Sequence, residues 1–193
     1  RTHFLKVKME QACSLQRVVL IGNSNTGKTA LLVRLLNQSS SNIYEPTIGA
    51  TNYPYTKVID GTSYTIQIWD TAGQEQYKAL GPIYYRNASA GIFVFDVTDE
   101  DSYEAVPNWL QEFEDAVGRS KYLKILVGNK VDLEDDVSVD ITNVSSFAKE
   151  NGFIFFQTSA KTGYNVEMMF QKIMEELIKQ EKEILELDLK SQE

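Results

Sequence analysis

The tightest constraint on this chain is an eight-residue run, Gly22-Asn23-Ser24-Asn25-Thr26-Gly27-Lys28-Thr29, set between segments of different period. Before it, Val18, Val19, Leu20 and Ile21 are consecutive apolar residues, as a strand buried on both faces requires. After it, Leu31, Leu32, Leu35 and Leu36 form the stripe of a helix over 29–37. The run itself has the spacing G-x-x-x-x-G-K-[ST] between strand and helix. In that context glycines let successive backbone N–H groups face one anion, and the helix N-terminus adds partial positive charge. Lys28 supplies a point charge for β- and γ-phosphates, and the Thr29 hydroxyl can enter the oxygen shell of Mg²⁺. Alone, the loop implies a nucleoside triphosphate and leaves kinases, ATPases and GTPases open.

The rest of the chain alternates β-rich and helix-period segments, the pattern of an α/β fold with a mostly parallel sheet. Runs at 51–59 and 63–69 meet at Asp60-Gly61, a strong hairpin signal. Further strands are predicted at 90–97, 122–128 and 153–157. Helices are predicted at 107–117, 142–151 and 165–178, with Pro107 in a first turn after a looser turn at 101–106. Gly118 and Gly152 read as helix stops. The sum is about six strands, one of them antiparallel, and about five flanking helices. Residues 1–15 read as an N-terminal extension with Met9 a candidate start, 16–178 as the folded domain, and 179–193 as an acidic helical extension or tail.

Composition narrows the function classes. With 42% hydrophobic residues in 193, wholesale disorder is excluded. A formal charge of −8 argues against a nucleic-acid surface but not against one bound nucleotide. One cysteine, Cys13, allows no disulfide within a monomer, and one histidine, His3, makes His-centred triads and His-rich metal sites poor readings. No apolar run approaches the ~20 residues of a membrane span, and the N-terminus lacks the apolar core of a secretory signal. Residues 175–193 hold 7 acids and 3 bases, so half of the net charge sits there and the domain is only mildly acidic.

Four further motifs decide among the nucleotide classes. Trp69-Asp70-Thr71-Ala72-Gly73-Gln74-Glu75 ends the third strand, where Asp70 can hold Mg²⁺ through water. Gly73 can bring a backbone N–H to a γ-phosphate, and Gln74 can orient an attacking water. Asn129-Lys130-Val131-Asp132 follows a buried strand. A carboxylate in the base plane accepts from both guanine N1–H and N2–H₂, a pattern adenine lacks, and such polar sites can discriminate by ~10⁴–10⁵. The Lys130 stem can cover the base and Asn129 can tie the two loops together. Thr158-Ser159-Ala160-Lys161 follows the last strand, with the Ala160 N–H placed to donate to guanine O6 and Lys161 to flank the ring. Thr47, in Tyr44-Glu45-Pro46-Thr47-Ile48-Gly49, can complete the Mg²⁺ shell only while a γ-phosphate holds that loop.

With those residues in place, the chain resembles the Ras superfamily of small GTPases, and within it the Rab family, over roughly 16–178. Ile48-Gly49, Ile66-Gln67-Ile68-Trp69-Asp70 and Tyr84-Tyr85-Arg86 carry the Rab likeness. Leu80–Arg86 with Asp99–Ser102 look most like the endosomal branch. The resemblance implies a G domain of the P-loop NTPase class and a GDP/GTP switch with Mg²⁺ on the cytosolic face of endomembranes. It implies nucleotide contacts from Asn23, Ser24, Asn25, Thr26, Gly27, Lys28, Thr29, Ala30, Tyr44, Thr47 and Gly73, and from Asn129, Lys130, Asp132, Ser159, Ala160 and Lys161. Metal contacts would come from Thr29, Thr47 and Asp70, and catalysis from Gln74, Lys28 and Thr47. It also implies exchange factors, GTPase-activating proteins and effectors that read the GTP state, with a monomeric switch.

Residues 37–47 contain no arginine, so unaided hydrolysis is expected near ~10⁻⁴ s⁻¹, the order known for Ras itself. Two positions depart from the family. Asn52 stands where Rabs usually carry an aromatic that joins the positions of Trp69 and Tyr84 in an effector-binding triad. Asn87 stands where a glycine often follows Tyr-Tyr-Arg. Trp69 and Tyr84 themselves read equally as packing residues or as effector surface. Rabs reach membranes through prenylated C-terminal cysteines, and this sequence ends Lys190-Ser191-Gln192-Glu193, so membrane attachment would need a lipidated tail beyond it. The rival readings are a nucleotide-binding scaffold with little turnover and, more distantly, a P-loop ATPase or nucleotide kinase.

Overall fold

The computed structural model describes residues 16–37, 50–71, 81–118 and 121–190. Strand β1 (Arg17–Ile21) leads through the glycine-rich loop into helix α1 (Lys28–Asn37), and strands β2 (Ala50–Ile59) and β3 (Thr62–Thr71) form the expected hairpin. Its two-residue turn has positive φ at both Asp60 (50°) and Gly61 (74°), the geometry that matches the twist of the flanking strands. Then follow α2 (Gly81–Tyr85), β4 (Ala90–Asp96), α3 (Glu100–Glu104), α4 (Val106–Val117), β5 (Leu123–Asn129), a 3₁₀ turn at Glu134–Asp136, α5 (Ile141–Glu150), β6 (Ile154–Gln157) and α6 (Val166–Lys190). Four helices of ten or more residues and two single-turn helices are thus present among the described residues.

The sheet order is β2-β3-β1-β4-β5-β6. Only β2 runs antiparallel to its neighbour, with Asn52 opposite Trp69, and the other pairings are parallel. β1 lies between β3 and β4, and Val18, Val19, Leu20 and Ile21 are fully buried, as an uninterrupted apolar strand must be. Its alternate residues feed two cores. Val18 and Leu20 join α1 and α6 through Leu31, Leu32, Phe170 and Ile173, while Val19 and Ile21 join α2, α4 and α5 through Tyr85, Phe113 and Val144. β1, β3, β4, β5 and β6 therefore all end on one rim, the edge where open α/β sheets bind ligands.

One element differs from the sequence expectation, and one alternative left open there takes a definite form. The looser turn expected at 101–106 is helix α3, because Asp99 caps it by accepting from the Ser102 N–H, with Glu100 and Asp101 in the first turn. The last helix begins at Val166 but does not stop near Ile178. It runs 25 residues to Lys190, about 37 Å, supported by the Lys172–Glu176 pair at 2.8 Å, a Lys121–Glu183 bridge to the loop before β5 at 2.8 Å, and Leu185 packed on the core. The helix expected over 165–178 and the acidic helical extension or tail expected after it are thus one helix as far as Lys190, since charged residues of high helix propensity sustain a helix whose outer faces need no burial.

Candidate functional site: the nucleotide rim

The loop between β1 and α1 needs glycine at two points. Gly22 has φ 141° and an added Cβ would lie 2.2 Å from the Val94 carbonyl oxygen, while Gly27 has φ 95° and a Cβ there would lie 2.3 Å from Asn129 Nδ2. The backbone can thus curl tightly only because neither position carries a side chain. Lys28 is 6% exposed, and its ammonium donates to the carbonyls of Gly22 at 2.8 Å and Asn23 at 2.7 Å. Burial pushes its pKa down to about 8, against the opposing pull of Asp70. A buried cation that donates to two carbonyls among the described residues is poised for a strong anion such as a polyphosphate.

Beside it, Thr29 Oγ1 donates to Asp70 Oδ2 at 2.6 Å, joining the start of α1 to the end of β3. Asp70 is 2% exposed. A hydroxyl and a carboxylate are hard oxygen donors and fit Mg²⁺, which favours one or two protein oxygens plus phosphate and water over an all-protein cage. Among the described residues, no group of three or more His, Cys, Asp or Glu side chains could hold a metal by itself.

The base-reading loops are tied to the phosphate loop through Asn129, which is 1% exposed. Its Nδ2 donates to the Thr26 carbonyl at 2.9 Å, while its Oδ1 accepts from the Ala160 N–H at 3.1 Å and the Thr158 hydroxyl at 3.2 Å. Ser159 Oγ donates to Asp132 Oδ1 at 2.6 Å, and Lys161 lies 3.7 Å from Asp132 Oδ2. Each carboxylate oxygen keeps a further lone pair, so Asp132 retains capacity for two base donors. Lys130 has φ 68° and its ammonium meets Asp96 Oδ2 at 2.5 Å. Burial pushes the Asp96 carboxyl up, but hydrogen bonds from Lys130 and from the Thr98 N–H and hydroxyl outweigh it and hold it below the usual carboxylate value.

Thus Asn23 through Ala30, Asp70, Asn129, Lys130, Asp132 and Ser159 through Lys161 lie on one rim, at the ends of β1, β3, β5 and β6. The Ala160 N–H, expected to face guanine O6, donates to Asn129 in this structure. Tyr44, Thr47, Gly73 and Gln74 lie outside the described residues. Two contributors carry no motif signal: Arg34 of α1 donates to the Ala160 carbonyl at 2.7 Å and to the Lys161 carbonyl, and Asp96 anchors Lys130. Thr158, inside the last motif but given no role there, anchors Asn129. Arg34 and Asp96 could have been found only by knowing that α1 and β4 end beside these loops.

Comparison with known proteins places the chain in a family. The model of the Ras family matches residues 17–179. The chain belongs to the Ras family. It is 40% identical over 161 residues to the Ras-related protein RABF2b of Arabidopsis thaliana, covering 83% of this chain and 80% of that one. It is 39% identical over 161 residues to the Ras-related protein RHN1 of Nicotiana plumbaginifolia, with the same coverage. It is 38% identical over 162 residues to the Ras-related protein Rab5A of Oryza sativa subsp. japonica, covering 84% and 79%. The chain is accordingly a Rab-type small GTPase, a family that binds guanine nucleotides and works through effectors, exchange factors and GTPase-activating proteins.

In this Rab, Trp69 and Tyr84 form a tilted pair with ring centroids 5.8 Å apart. The Arg17 guanidinium lies over the indole at 4.9 Å and donates to the Tyr84 and Arg86 carbonyls at 3.3 and 3.0 Å. Asn52 is exposed opposite Trp69, so the third position of that surface is polar.

Proposed function

We propose that this Rab binds GTP with Mg²⁺ on the rim described above, hydrolyses it to GDP and phosphate, and signals through effectors in endosomal membrane traffic. The Asn129 network carries this reading, because it makes the phosphate loop and both base-reading loops one hydrogen-bonded unit. Asp132 reads the guanine edge, Lys130 covers the base, and Lys28 meets the β- and γ-phosphates. Thr29, Asp70 and Thr47 would hold Mg²⁺, which would supply positive charge to those phosphate oxygens. Gln74 orients a water whose oxygen bonds to the γ-phosphorus as the bond to the β–γ bridging oxygen breaks; the water's proton passes to a phosphate oxygen, inorganic phosphate is released and GDP remains on the rim. Gly73 donates its N–H to the γ-phosphate, and Tyr44 flanks the nucleotide.

No arginine lies between 37 and 47, so a GTPase-activating partner supplies the cation that accelerates the step. Effectors dock across the segments around Thr47 and Gly73 and the Trp69–Tyr84 pair, with the switch acting as a monomer. No helix among the described residues is long and apolar enough to cross a membrane.

Two measurements test the reading. Nucleotide released from the purified protein should be GDP or GTP, and adenine nucleotide in its place overturns the assignment. Gln74→Leu should slow single-turnover hydrolysis at least about tenfold with GTP affinity nearly unchanged. Equal loss of both would make Gln74 structural.

A further inference from the structure

Trp109 projects from the buried face of α4, where it is 4% exposed, and a buried indole N–H needs an acceptor. It finds one 86 residues away: Trp109 Nε1 donates to Asn23 Oδ1 at 2.8 Å. Asn23 is the first residue of the phosphate loop after Gly22. Its backbone carbonyl accepts from Lys28 Nζ at 2.7 Å and from Thr26 Oγ1 at 3.0 Å. One residue therefore has its side chain held by α4 and its main chain held by the lysine and threonine of the loop. Ser24 and Asn25, which follow it, are exposed, so the tether sits where the loop leaves the sheet.

We propose that Trp109 is a positioning residue for the phosphate loop, fixing Asn23 so that its carbonyl stays directed at the Lys28 ammonium. The side-chain tether matters because Gly22 offers no Cβ to restrict the chain just before Asn23. A phenylalanine at 109 would fill most of the same space, yet would leave the Asn23 amide without its partner on α4. The loop would then sample more orientations, and the lysine that faces the phosphates would be held less firmly. The inference rests on the nucleotide reading of the rim, and it adds to that reading a contact from a helix outside every nucleotide motif.

The test compares Trp109→Phe, Asn23→Ala and the double variant, each loaded with N-methylanthraniloyl-GDP and chased with unlabelled GDP. Each single variant should release the label about threefold to tenfold faster than the parent, the effect of one neutral hydrogen bond. The double variant should release it no faster than the faster single. Wild-type release from either single variant, or effects that multiply in the double, overturns the proposal. A second arm needs no nucleotide. In the isotope-labelled full chain the indole N–H resonance of Trp109, assigned by its loss in Trp109→Phe, should move in Asn23→Ala. An unmoved resonance also overturns the proposal. If the parent takes up no labelled GDP, the guanine reading falls, and the resonance still decides whether Trp109 holds Asn23.

Discussion

Single side chains divide the labour at this rim, and two of them make separable predictions. Asp132 already accepts from Ser159 and pairs with Lys161, yet keeps the lone pairs that a guanine edge needs. Asp132→Asn replaces an acceptor by a donor, so guanine affinity should fall and xanthine nucleotides should bind in its place. Competition between GDP and xanthosine diphosphate measures this, and unchanged selectivity would refute the role. Asp96 predicts a pH effect whose sign follows from its lowered pKa. A carboxylate held below its unfolded value of about 3.9 contributes stability above that pH and loses it as pH falls through the folded value. Denaturation of the nucleotide-free protein should therefore show Asp96→Asn less stable than the parent at pH 7, with the gap closing below about pH 4. A gap independent of pH would mean that the Lys130 pair contributes nothing through charge.

Helices and strands bring these side chains together, and here the sequence was readable to an uneven degree. The buried strand at 18–21, the Asp60-Gly61 hairpin and the parallel order were legible because period and turn chemistry are local properties. So were the phosphate and base motifs, whose spacing is fixed by single loops. The role of Arg34 was not, because it lies on a helix at ordinary spacing and acts only where α1 meets the loop after β6. Helix α3 was missed because five residues carry too little periodicity, and residues 179–190 stayed open between helical extension and tail because these last turns depend on charge pairs rather than an apolar stripe. Arg34→Met keeps the stem and removes the donor to the Ala160 and Lys161 carbonyls. It should speed GDP release about tenfold while leaving single-turnover hydrolysis of bound GTP unchanged, as read by stopped-flow and by phosphate release. Equal release rates would show that the loop after β6 needs no support from α1.

At the scale of the whole molecule, the nucleotide is expected to act as a structural cross-link between the phosphate loop and the base-reading loops, which Asn129 already ties together. Removing Mg²⁺ with a chelator should lower the melting temperature of the GDP-loaded protein, and excess GDP with Mg²⁺ should restore it by mass action. A melting temperature indifferent to both would disconnect the Thr29–Asp70 pair from nucleotide binding. The same long-range ties have a consequence during synthesis. The Asn129–Thr26 contact joins residues 103 apart, and Arg34 reaches the Ala160 carbonyl across 126. The phosphate loop is made well before its base-reading partners, the last of which follows β6. Until Ala160 has been made, neither the Asn129–Ala160 tie nor the Arg34–Ala160 tie can form, so the rim closes only after most of the domain has been synthesised.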